Sequence, residues 1–214
     1  MDRTGKLLAA IMIASIIAGS DGISAAEIDY IKSVCTKCHG AKGIAEVKIT
    51  PNLAGQREKY LAKQLRDFRT SATVPRTLRE NLTDIGGKRR HPVMSTIAAR
   101  LSNDLIDELS KYYSLLPCRT KRSIKNAKSI AKVSVCSSCH DENGTSHEPW
   151  VPKLSGQNKL YLINQLYALQ LSSNNKFANT NSIRSHPIMG DNVKNLSQTE
   201  IDNLAGYFAS RSCR

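Results

Sequence analysis

Apolar residues recur at helical spacing through most of the chain, and no stretch alternates apolar and polar long enough to read as a strand. Leu61, Leu65 and Phe68 share one face of a middle helix. Leu105, Ile106, Leu109, Tyr112 and Tyr113 mark a later helix that opens after Ser102. Ile201, Leu204, Tyr207 and Phe208 mark its counterpart after Ser197. Ser197-x-x-Glu200 is a capping box, in which side chains satisfy the free N–H groups of a helix start. Further helices are predicted over residues 27 to 35 and roughly 124 to 136, each leading into a pair of cysteines. The fold class that follows is all-α.

The pattern is also a repeat. Cys35-Thr-Lys-Cys38-His39 returns as Cys136-Ser-Ser-Cys139-His140, displaced by 101 residues. Pro51-Asn-Leu53-Ala-Gly55-Gln56 and Tyr60-Leu61-x-x-Gln64-Leu65 return at the same displacement, from Pro152 and Tyr161. His91-Pro92-Val-Met94 returns as His186-Pro187-Ile-Met189, displaced by 95, and Leu101-Ser102, Leu196-Ser197, Cys118 and Cys213 keep that interval. Blocks in constant order with one length change imply an internal duplication. The expected organisation is a segment 1–26, a first domain 27–116, a basic linker 117–128 and a second domain 129–214.

The first 26 residues differ from the rest. Arg3 and Lys6 precede a largely apolar run, Leu7 to Ala18, and Ser24-Ala25-Ala26 supplies small residues. This reads as a secretory signal cleaved near Ala26. An uncleaved anchor is the alternative, although the run is short for a spanning helix. Export would place the mature chain in an oxidising compartment. The formal net charge is +13, and aromatics make up 5% of the chain. Small aromatic-poor domains often need a cofactor or cross-link to complete a core. The charge points to an acidic partner or anionic surface; nucleic acid is not expected for an exported chain.

Cys-x-x-Cys-His is the spacing of covalent haem attachment. Two thiols add across the vinyl groups on one porphyrin edge, and the adjacent histidine lies beneath the iron. Zinc would bring its cysteine pairs about 15 to 20 residues apart, far closer than here, and a thioredoxin-like dithiol expects a βαβ context. Two covalently attached haem c groups are therefore expected, on Cys35, Cys38 and His39 and on Cys136, Cys139 and His140. Met1 and Met12 lie in the signal, so Met94 and Met189, in matching positions, are the candidate second axial ligands. The carbonyls of Pro51 and Pro152 are expected to accept Nδ1–H from His39 and His140. His91 and His186 are read as loop residues or polar groups near the haem. Cys118 and Cys213 suit an internal disulfide, with free thiols or bonds between chains as alternatives.

These blocks resemble the dihaem cytochrome c4 family over essentially the whole mature chain. The resemblance implies two tandem class I cytochrome c domains related by a pseudo-two-fold axis, with haem edges facing one another. It implies His39 and Met94 on one iron, His140 and Met189 on the other, and a periplasmic carrier of single electrons toward a terminal acceptor such as an oxidase. Partners would be redox proteins with an acidic docking face: an oxidase, a quinol-oxidising complex or a dehydrogenase. An alternative is the electron-accepting subunit of a dehydrogenase complex, as in flavocytochrome sulfide dehydrogenases. A dihaem peroxidase or thiosulfate dehydrogenase is a third reading, but a peroxidase needs an open or displaceable iron ligand.

Overall fold

The computed structural model describes residues 29–73, 89–118, 130, 132–174 and 183–213. The segment 1–26 and most of the basic linker lie outside them. In the first half a π-helical stretch, Ile31–Cys35, runs directly into α1 (Thr36–His39). Then follow α2 (Glu58–Thr73), a two-residue strand β1 (Arg89–Arg90), α3 (Pro92–Ala98) and α4 (Asn103–Leu115). The second half repeats the order with α5 (Val133–His140), α6 (Lys159–Ser173), β2 (Ile183–Arg184), α7 (Pro187–Val193) and α8 (Gln198–Ala209). The fold is all-α apart from the two short strands, and its two halves share one element order.

Each half has its own core. In the first, α2 packs on α3 and α4, and Ile31, Leu61, Leu101, Ile106, Leu109 and Tyr113 close together. In the second, α6 packs on α7 and α8 around Leu162, Leu169, Leu196, Ile201, Leu204 and Phe208. Ile106 and Ile201 hold equivalent places and are both 0% exposed. Burying such a side chain stabilises by about 2–3 kcal/mol. Ser102 and Ser197 cap the last helix of each half, and the capping box at Ser197 and Glu200 is complete.

The structure corrects two expectations. The helices do not stop at the first cysteine; they carry the whole motif. Nothing in Cys-x-x-Cys-His breaks a helix, and the turn comes after it, at Gly40 (φ 75°) and Asp141 (φ 61°). The N–H groups of those residues close on Thr36 O and Ser137 O. The helix that carries the second motif opens at Val133, because Lys132 is left-handed (φ 71°) and a helix cannot run through it; residues 124–129 of the expected helix lie outside the described residues. The strands were not expected. Arg89 pairs with Arg184 and Arg90 with Ile183 in an antiparallel bridge, too short to leave an alternating pattern.

The halves are joined by reciprocal contacts. Gln56 accepts from Lys153 N (2.8 Å) and donates to Lys153 O (3.0 Å). Gln157 makes the mirror pair with Asn52, at 2.8 and 2.9 Å. A disulfide joins Cys118, after α4, to Cys213, after α8. Gly55 and Gly156 turn the chain ahead of α2 and α6 with φ of 69° and 68°, and their N–H groups bond Tyr113 O and Phe208 O.

Candidate haem sites

The cysteine motifs sit on the last turns of helices that rest on the cores. Cys35 and Cys136 are half-buried, Cys38 and Cys139 exposed, and all four thiols are free. Cys35 and Cys136 pack against the apolar clusters of their halves. Burial pushes both of these thiols above the ordinary range. A raised thiol is a poor thiolate nucleophile, which disfavours dithiol exchange at these pairs.

His39 and His140 are buried, and each Nδ1 lies 3.0 Å from a proline carbonyl, Pro51 O and Pro152 O. A carbonyl can only accept, so Nδ1 carries the proton and Nε2 keeps its lone pair. Burial lowers the pKa of both histidines; the proline bonds act against that, and Arg89 or Arg184 adds to it. The imidazoles are thus held neutral, the form that binds a metal.

Met94 and Met189 are the third residues of α3 and α7, and both are half-buried. Met189 packs against the same cluster as Cys136. The histidines ahead of the methionines have a role that sequence reasoning missed. His91 and His186 are N-caps: Nδ1 of each accepts the N–H of Met94 or Met189 at 3.4 Å. Pro92 and Pro187 occupy N1, where a missing N–H costs nothing. Caps are usually Ser, Thr, Asp or Asn, so histidine there hides the signal, but proline at the next position could have revealed it.

A second missed feature lies between the halves. Arg89, 9% exposed, donates to Gln64, Gln165 and the hydroxyl of Tyr161 (2.8 Å). Arg184 donates to Gln165 and the hydroxyl of Tyr60 (2.9 Å). Both guanidiniums therefore meet at Gln165 Oε1. Among the described residues no carboxylate pairs with either. Two cations converging in a largely buried place without an anion is costly. The donors fit the carboxylates that haem carries on one edge. With free thiols, neutral histidines and a cationic cluster, the residues present fit the cofactor in both halves.

Residues 124–212 match the family model of cytochrome c. Cytochrome c4 of Stutzerimonas stutzeri is 26% identical over 82% of this chain and 83% of its own length. A thiosulfate dehydrogenase electron acceptor from Stutzerimonas stutzeri strain A1501 is 28% identical over 82% and 78%. The solved structure of reduced cytochrome c4 from Pseudomonas stutzeri superposes with a TM-score of 0.68 at 24% identity, covering 89% of this chain and 99% of that one. A thiosulfate dehydrogenase structure from Marichromatium purpuratum gives 0.61 at 28% identity, over 84% of this chain and 36% of that one. Because the likeness runs through both halves in sequence and in fold, the chain is a cytochrome c4-like dihaem class I c-type cytochrome, an electron carrier with covalently bound haem c.

Proposed function

We propose that the protein is an exported, periplasmic carrier that moves single electrons between respiratory donors and a terminal acceptor such as an oxidase. His39 and Met94 ligate the first iron, and His140 and Met189 the second. The units run over 27–116 and 129–214, joined by the basic stretch 117–128. One observation carries this reading: each half offers one neutral, carbonyl-held histidine and one methionine at the start of a histidine-capped helix. A haem held by both has no open position for substrate. When bound, the haem supplies the one-electron couple. The protein fixes the ring of each histidine, offers a thioether that would favour the ferrous state, and holds Arg89 and Arg184 as donors that would pair with the haem carboxylates. No described helix is long and apolar enough to cross a membrane.

A second reading is the electron-accepting subunit of a thiosulfate dehydrogenase, favoured by two relatives bearing that name, at 28% and 30% identity. The partner surface would then be that of a catalytic subunit rather than an oxidase. The test is to purify the two-haem protein under native conditions and measure reduction by isolated dehydrogenases and oxidation by isolated oxidases. Rapid exchange with an oxidase and no tight companion supports the free carrier. Stable co-purification with a dehydrogenase supports the second reading. Turnover of thiosulfate or peroxide by the chain alone would overturn both.

A further inference from the structure

Each proximal histidine is held by a peptide that the opposite half also grips. The Pro152–Lys153 peptide accepts the Nδ1–H of His140 on its oxygen at 3.0 Å. The same peptide donates its N–H to Gln56 Oε1, in the other half, at 2.8 Å. In the mirror arrangement the Pro51–Asn52 peptide accepts from His39 at 3.0 Å and donates to Gln157 Oε1 at 2.8 Å. Both glutamines are buried, 7% exposed. Each is fixed further by its Nε2, which donates to the carbonyl of Lys153 or Asn52. Each Oε1 also accepts the N–H of the next residue in its own chain, Arg57 or Asn158, at 2.9 Å.

A glutamine that only fastened the halves together could take any peptide at the interface. In both halves it takes the one whose carbonyl orients the histidine. We propose that Gln56 and Gln157 are positioning residues, each tuning the iron ligand of the opposite half through that shared peptide. An acceptor on the N–H polarises the amide and makes its carbonyl a stronger acceptor. The carbonyl then draws the Nδ1 proton more strongly, and the imidazole becomes a stronger donor to iron. A stronger donor stabilises the ferric state, so each glutamine lowers the reduction potential of the haem it does not itself belong to. The inference rests on His39 and His140 being axial ligands.

The test uses the two-haem holoprotein and Gln56→Leu, Gln157→Leu and Gln56→Glu. NMR resolves the haem methyl signals of the two centres, and the fraction of each reduced is followed through a redox titration. In Gln56→Leu the second haem becomes easier to reduce. Electrons shift toward it by about two- to tenfold, the size expected if 10–30% of one amide bond's strength is lost. The first haem keeps its position. Gln157→Leu gives the converse. Gln56→Glu, with an ionised and stronger acceptor, moves the second haem the other way. Equal shifts of both haems, a shift confined to the substituted half, or no shift would overturn the proposal. If one leucine variant yields no two-haem protein, its mirror reads the same coupling. Haem content and the sulfur-to-iron band are recorded alongside. Their loss in the parent protein would count against the ligand assignment, whereas normal values with no cross-half shift would count against the glutamines alone.

Discussion

Arg89 of the first half donates to the hydroxyl of Tyr161 in the second at 2.8 Å, and Arg184 returns the contact to Tyr60 at 2.9 Å. Each cation is thus oriented by the other half. Burial alone would lower the pKa of Arg89, but the oxygens of Tyr161 and Tyr60 more than offset it. The charge is therefore kept where the two halves meet, placed to pair with the haem carboxylates if they lie there as proposed. Arg89→Gln is expected to lower the potential of the first haem, because a cation near the iron disfavours the ferric state. Its carboxylates would then ionise nearer neutral pH. Since the ferric state favours the ionised form, the potential should fall as pH rises through that range, where the parent is flat. Arg89→Lys keeps the charge but not the fork, and should restore the level more than the geometry. Spectroelectrochemical titration from pH 5 to 8 checks this; a parent-like flat curve in Arg89→Gln would contradict it.

The holoprotein should carry two haems per chain and two low-spin His/Met centres. The haem-to-protein ratio and the weak sulfur-to-iron charge-transfer band of the oxidised form measure this. Met94→Ala should remove the band from one centre and leave the other. A single haem, or full loss of the band from one substitution, would contradict independent ligation.

What the sequence displayed and what it hid divide along physical lines. Ser197, Glu200 and the Cys-x-x-Cys-His runs act within a few residues, so spacing alone exposes them. Met94 and Met189 stand out in the sequence because Met1 and Met12 fall in the expected signal and the remaining two match in register. Arg89, Tyr161, Gln56 and Lys153 were not. Their partners lie 72 and 97 residues away, and the register that joins them is set by how the two halves dock. Gln56 was visible as a repeated letter, but a repeat does not say which peptide a side chain will grip. The two-residue strands escaped for a simpler reason: a period of two needs more than two residues to show.

The capping histidines give a pH dependence. Burial lowers the pKa of His91 and His186, with Arg89 adding to the first, and Lys63 and Arg184 to the second. A cap that accepts an N–H must be neutral. The unfolded chain then binds protons at a higher pH than the folded one. Stability from these groups is full above about pH 6.5, the free histidine value, and declines as pH falls from there through the lower folded values. His39 and His140, in their proposed role as iron ligands, would not titrate until released. His91→Asn keeps a cap and should flatten part of the decline, whereas His91→Ala should cost about 1 kcal/mol at neutral pH. Thermal melts between pH 4.5 and 8 measure both. An unchanged acid limb in the double Asn variant would rule out this source.

The Cys118–Cys213 disulfide closes a loop of 95 residues in sequence and ties the ends of α4 and α8 together beside Gly55. In the chain-entropy account such a loop contributes on the order of 4–5 kcal/mol. Thiol titration of the unfolded holoprotein should find no free cysteine. The double variant Cys118→Ser, Cys213→Ser should unfold at markedly lower denaturant while keeping both haems. Two titratable thiols in the parent would contradict the bond.

The last prediction concerns docking, where the two halves of one duplicated fold have diverged in charge. Residues 27–116 carry 16 basic and 10 acidic side chains, 117–132 carry 6 basic and none acidic, and 133–214 carry 7 basic and 6 acidic. The first unit and the linker thus hold nearly all of the net +13. Haem carboxylates lower the total, but both units bear them. Solubility alone would not require the charge to sit on one side. An acidic redox partner, or an anionic membrane surface bearing one, would approach the first unit, pass electrons at the first haem, and leave the second for internal transfer. Such steering speeds encounter at low salt and fades over a Debye length of about 8 Å at physiological ionic strength. Lys121, Arg122, Lys125 and Lys128 lie outside the described residues, so the test is kinetic. Neutralising the four together should lower the second-order rate with the physiological partner severalfold at low salt and flatten its salt dependence. It should leave haem content and both potentials unchanged. An unchanged rate and salt slope, with neutralising changes in the first unit equally silent, would rule out this docking face.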